Sequence, residues 1–113
     1  MRSDDAVRLR HMLEAAKEAI AFARDRTRTD LNSDRMLVLS LVKSIEIVGE
    51  AAAKVTAESR QENPSIPWAG IVAMRNRLIH AYFAVNLDRI WDTVTDDLPA
   101  LVAELEKIVP PEP

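Results

Sequence analysis

Apolar residues recur every three or four positions along most of this chain, which is the spacing of one face of an α-helix. Four helical segments follow. The first runs from about Asp5 to Arg26, with Leu9, Met12, Ala16, Ala19, Ile20 and Ala23 on its apolar face. Ser3 suits its N-cap, and Asp4 and Asp5 lie near the positive end of the helix dipole. The second begins after Asp30 or Ser33 and runs to about Arg60. Its apolar face is wide, from Leu37 and Val38 through Leu41, Val42, Ile45 and Val48 to Ala51, Ala52 and Val55. Opposite lies a polar stripe of Lys43, Glu46, Glu50 and Lys54. Gly49 falls inside this segment, where glycine costs about 1 kcal/mol relative to alanine, so a close helix–helix approach is expected there.

The run Glu62-Asn63-Pro64-Ser65-Ile66-Pro67 breaks the pattern. Pro67 fits the first turn of a third helix, which extends to about Phe83. Asn86 suits the N-cap of the last helix, which carries Leu87, Ile90, Trp91, Val94 and Leu98. Pro99 removes a backbone donor and crowds the preceding turn, yet Leu101, Val102, Leu105 and Ile108 keep the apolar phase, so a kinked continuation is predicted. The expected fold is all-α: an antiparallel bundle of four to five helices, the last kinked at Pro99. A single domain would span residues 1–113, with 110–113 as a flexible tail.

Composition narrows the function classes. At 113 residues and 48% apolar, the chain can build one real core but not two. It has no cysteine, which excludes disulfides, thiolate metal sites and cysteine nucleophiles. Its two histidines, His11 and His80, are far apart in sequence, so no metal site and no cofactor are expected, and His11 reads as structural. No apolar run approaches the roughly 20 residues that span a membrane, and the polar start lacks the apolar stretch of a signal peptide, which fits a cytoplasmic location. The net charge of −3 argues against a broad basic surface for nucleic acid. Such a site would have to be local, or formed between subunits.

The segment Arg75-Asn76-Arg77-Leu78-Ile79-His80-Ala81-Tyr82-Phe83 carries the candidate chemistry. Arginine is always charged and histidine titrates near neutral pH, a pairing suited to phosphate chemistry. On a helical wheel Arg75 falls about 20° and Tyr82 about 40° from Trp68, inside the apolar stripe. A guanidinium aimed at an apolar seam is costly unless paired. Arg75 therefore meets a carboxylate such as Glu46 or Glu50, lies at a subunit interface, or faces a cleft. Asn76 and His80 are an i, i+4 pair on one flank. Arg75 and His80 are about 140° apart, too far for a compact site within one straight helix. A purely structural reading also fits, with Arg75 in an ion pair, His80 capping the helix C-terminus and Tyr82 in the core.

Arg75-Asn76-Arg77-Leu78-Ile79-His80-Ala81-Tyr82 resembles the R-x4-H-x-Y motif of the HepT-like toxins, within the HEPN superfamily of ribonucleases. Ile45-Glu46-Ile47-Val48-Gly49-Glu50-Ala51-Ala52 is similar to that family's Glu-Ile-x-Gly-Glu-Ala segment. Ile66-Pro67-Trp68, Trp91-Asp92-Thr93-Val94 and Asp97-Leu98-Pro99 are similar as well. The resemblance covers most of residues 5–108 in order. It implies the toxin of a type VII toxin–antitoxin pair: a helical homodimer with two R-x4-H motifs facing each other across the interface. The implied activity is metal-independent endoribonuclease acting on tRNA or mRNA, with Arg75 and His80 catalytic and Asn76, Glu46 and Glu50 in support. The implied partner is a minimal nucleotidyltransferase antitoxin that transfers AMP to Tyr82. A non-catalytic helical module that docks to a nucleotidyltransferase is the alternative, and the shared fold does not decide between them.

Overall fold

The computed structural model describes residues 3–80 and 86–110, with backbone only for Arg77, Ile79 and His80. Tyr82 and Phe83, and with them the end of the third predicted helix, lie outside the described residues, as do residues 111–113 of the expected tail. The described residues form an all-α bundle. Helix α1 spans Ser3–Ala23 and packs along α2, Arg35–Ala53. After a short α3, Ala57–Glu62, helix α4 spans Trp68–His80 and packs on the other flank of α2. Helix α5, Leu87–Asp92, continues through a π turn at Thr93–Asp97 into α6, Leu98–Ile108, which returns along α1. Leu9, Met12, Leu41, Ile45, Val48, Ile90, Leu98 and Leu105 are almost fully buried and form the centre of the core. These are apolar positions that the 3–4 spacing selects.

Helix α1 ends where Asp25 takes a left-handed backbone conformation at φ 61°, one that aspartate tolerates better than most residues. A 3-10 turn, Arg28–Asn32, follows. The arginines of this region serve the connection. The Arg26 guanidinium lies 2.5 Å from the Asp34 carboxylate and 3.4 Å from Asp30. Arg28 reaches Asp88 at 2.5 Å, tying the turn to the start of α5. Asp34 is also the N-cap of α2, accepting the Leu37 N–H at 3.0 Å.

Two expectations change. The second helix stops at Ala53 instead of Arg60. The cause is a residue distant in sequence: Asp5, 1% exposed, accepts the Thr56 N–H at 3.0 Å, the Thr56 hydroxyl at 2.7 Å and the Ser59 hydroxyl at 2.5 Å. Thr56 in turn caps α3 by accepting the Ser59 N–H. This clasp draws the backbone out of the helix, although the apolar phase continues to Val55. Near Pro99 the helix does not stop. Its irregularity falls one turn earlier, in the π turn, where the Leu98 N–H reaches back to the Thr93 carbonyl. Thr93 and Thr95 hydroxyls donate to the carbonyls of Arg89 and Trp91, bonds that bend helices.

The α3–α4 connection is pinned by Trp68. Its indole N–H donates to the Asn63 carbonyl at 3.0 Å, and the Arg60 guanidinium lies 5.8 Å above its ring. Arg60 also donates to the Ala52 carbonyl at 2.8 Å, at the end of α2. These contacts fix the angle at which α4 meets α2.

Candidate active site

Helices α2 and α4 cross at Gly49, and the side chain that fills the crossing is Arg75. A Cβ on Gly49 would lie 2.2 Å from the Arg75 Cβ, 2.7 Å from its Cγ and 3.3 Å from its Cδ. Real Cβ atoms do not approach so closely, so glycine is what lets the stem of Arg75 lie against the α2 backbone. The expected close approach is therefore present, and its partner is the motif arginine itself.

The guanidinium emerges from this seat half-buried, its side chain 28% exposed. Its Nη2 lies 3.7 Å from Glu50 Oε1, and its Nη1 donates to Asn76 Oδ1 at a long 3.4 Å. Its Nε is buried and has no acceptor among the described residues. Glu50 is thus the carboxylate that meets Arg75. Glu46, one turn earlier on α2 and half-buried, makes no ion pair among the described residues. The pairing answers the question raised by the apolar seam, but loosely: both contacts are long, and the N–H donors keep unused capacity. Arginine has five such donors in a planar fork that matches a phosphate bidentately.

His80 is the last described residue of α4, and the backbone carries it beyond Arg75 and Asn76. Its side chain, like Tyr82, lies outside the described residues. The structure therefore brings together Arg75, Asn76 and Glu50, with Glu46 one turn before Glu50 on α2. What sequence reasoning missed is the link between Gly49 and Arg75, two features it had noted separately. No local signal joins them, because the contact is between helices.

A sizeable cavity lies elsewhere. It is a groove of about 880 Å³ between α4 and the α5–α6 helix, and Arg75 is not part of its lining. Its polar groups are mainly carboxylates. Such a lining repels phosphate. Among the described residues no three histidine, cysteine or acidic side chains converge as metal ligands, and no described helix is long and apolar enough to cross a membrane.

Comparison with known proteins gives a consistent picture. The family described as "Ribonuclease HepT-like" matches residues 12–108. A protein of Caldanaerobacter subterraneus named "Putative RNase" is 34% identical, over 92% of this chain and 93% of its own length. A "Probable ribonuclease HepT" of Thermococcus cleftensis is 35% identical, over 85% of this chain and 91% of its own. A "Putative RNase" of Methanocaldococcus jannaschii is 32% identical, over 84% and 87% respectively. No solved structure matches the chain.

Proposed function

Since this chain belongs to the HepT-like ribonuclease family, we propose that it is the toxin of a toxin–antitoxin pair and cuts RNA without a metal at a composite site shared by two copies. The observation that carries this reading is the seat of Arg75. A guanidinium is held by its stem over Gly49, loosely paired to Glu50, with donor capacity left for a phosphate.

In this reading the RNA 2′-hydroxyl attacks the adjacent phosphorus. A new P–O bond closes the 2′,3′-cyclic phosphate as the bond to the 5′-oxygen breaks. A neutral His80 takes the 2′-hydroxyl proton, and a protonated His80, supplied by the second copy, gives one to the leaving 5′-oxygen. An imidazole with a pKa near 6.5 offers both forms at neutral pH. Arg75 grips the phosphate and offsets the charge that grows in the transition state. Asn76 orients the phosphate or His80, and Glu50, with Glu46 beside it, keeps the guanidinium from swinging into solvent. The angular separation of Arg75 and His80 on one helix is no obstacle when each site draws on two chains.

The partner in this reading is a minimal nucleotidyltransferase antitoxin, which transfers AMP to the Tyr82 hydroxyl. The adduct brings bulk and negative charge beside Arg75 and competes with RNA. The test is cleavage of a mixed tRNA and messenger RNA pool in excess EDTA by unmodified protein, its mass checked for an adduct on Tyr82. Wild type should cut, and His80→Ala and Arg75→Ala should not. If unmodified wild type cuts nothing, the ribonuclease reading is lost and the docking-module alternative takes its place.

A further inference from the structure

Among the described residues the bundle is closed on three sides only. Helix α2 packs on α1 and on α4, and α6 packs on α1, but α4 and α6 make no more than a glancing contact. The groove of about 880 Å³ is the unclosed seam between them. Its lining is more apolar than polar, with Ile71 and Met74 on one wall and Leu98 and Leu101 on the other. Along the rim stand Asp88, Asp92, Asp96, Asp97 and Glu104, against a single Arg89. Arg28 neutralises Asp88, and Lys107 pairs with Glu104. Asp92, Asp96 and Asp97 are exposed and have no cationic partner among the described residues.

A separate observation comes from glycine. The chain has two, and Gly49 is explained by Arg75. Gly70, in the first turn of α4, is not explained by the described residues: a Cβ there would meet none of them closer than Pro67 Cβ at 4.0 Å. Gly70 faces the groove, with the small side chain of Ala100 also in the lining. Small residues in a groove wall let a foreign backbone approach closely.

We propose that this groove is a docking site for a lysine- or arginine-rich amphipathic helix of a partner protein. Its apolar face would sit on Ile71, Met74, Leu98 and Leu101, and its cations would meet Asp92, Asp96 and Asp97. Charge selects this occupant. A second copy of a chain with net charge −3 brings like charge to the rim, and RNA brings more. The mode is helix-in-groove recognition, in which an apolar stripe at i, i+3, i+4 and i+7 supplies the anchors. The proposal is independent of the ribonuclease reading, because none of the residues it uses is placed in that site.

The test uses the full chain and a labelled synthetic amphipathic helix of leucine and lysine, about 18 residues long so that it is stably helical. A leucine and glutamate version is the control, and fluorescence anisotropy is the readout. Gly70→Trp plugs the groove at a position with steric room, and the triple variant Asp92→Asn, Asp96→Asn, Asp97→Asn removes the free charge. Circular dichroism confirms that both fold. The lysine helix should bind wild type with a dissociation constant of about 10 µM or tighter, and each variant should weaken it by about tenfold or more. Three results overturn the proposal: no binding of the lysine helix, equal binding by Gly70→Trp, or equal binding of the glutamate helix. A fourth is self-association of wild type that Gly70→Trp abolishes, which would make a second copy the occupant.

Discussion

Replacing Gly49 by alanine adds one methyl group at the point where α2 and α4 cross. The new Cβ would stand 2.2 Å from the Arg75 Cβ. Carbon atoms settle at about 3.5–4.0 Å, so the two helices must part locally by roughly 1.5 Å. The atom in the way is the Cβ of a helical residue, fixed by its backbone, so no rotamer change relieves the contact. Overpacking of this kind costs about 1–3 kcal/mol. Alanine returns about 1 kcal/mol of helix propensity. The net loss is therefore roughly 0–2 kcal/mol, equivalent to a melting temperature lower by up to about 8 °C. The protein stays folded at ordinary assay temperatures.

Activity should suffer far more than stability. A displacement of about 1 Å in a catalytic group costs on the order of 100-fold in rate. On the proposed mechanism, in which Arg75 grips the phosphate most tightly in the transition state, the expected result is a folded Gly49→Ala whose RNA cleavage falls about 100-fold, mainly in kcat. Gly70→Ala is the control: with no atom nearer than 4.0 Å to its new Cβ, it should be neutral or up to about 1 kcal/mol more stable, with cleavage unchanged. The assays are thermal denaturation followed by circular dichroism and steady-state cleavage of a short RNA. Wild-type cleavage by Gly49→Ala would refute the reasoning, because the position of Arg75 would then not matter. Activity lost only in step with the fraction unfolded would refute it too.

Three further outcomes follow from the same geometry. Asp5→Ala strips the acceptor from two hydroxyls and one N–H at the α2–α3 break, and should cost about 2–4 kcal/mol in urea unfolding. Acid should loosen the α1–α2 connection. The Leu37 N–H first, then Arg26, hold Asp34 below the usual carboxylate range, and the Thr27 N–H, with Arg26, does the same for Asp30. A lowered folded-state pKa means that the stability these groups add is complete above the unfolded value of about 4 and is lost as pH falls through the folded value. The melting temperature should therefore drop as the pH falls below about 4, and Asp34→Asn, which keeps a capping side chain, should flatten that drop. Glu50→Gln removes a half-exposed partner of Arg75, so stability should shift by less than about 1 kcal/mol. RNA cleavage by this variant should fall as the guanidinium loses its restraint, and the gap from wild type should narrow with added salt, which screens the pair in the wild type.

The fold was legible because it rests on local rules. Leu9, Met12, Leu41, Ile45, Val48 and Leu105 were selected by 3–4 spacing alone, and all are buried. Pro64 and Pro67 mark a break that no helix crosses, and Asn86 caps α5 by accepting the Arg89 N–H as its side chain suggests. What escaped the sequence shares one physical cause: each feature depends on a partner distant along the chain. Thr56 reads as an ordinary residue of a continuing helix until Asp5 arrives to accept its N–H and hydroxyl. Arg26 and Arg28 meet Asp34 and Asp88 at 2.5 Å only once the chain has folded. Gly49 announces that something approaches, but only the crossing of α2 and α4 shows that it is Arg75. The same logic applies to Gly70 with the sign reversed. Among the described residues no neighbour demands a glycine there. A residue whose cost is repaid in the fold needs no outside explanation. One whose cost is not repaid there, in a groove with unpaired carboxylates on its rim, directs attention to a partner.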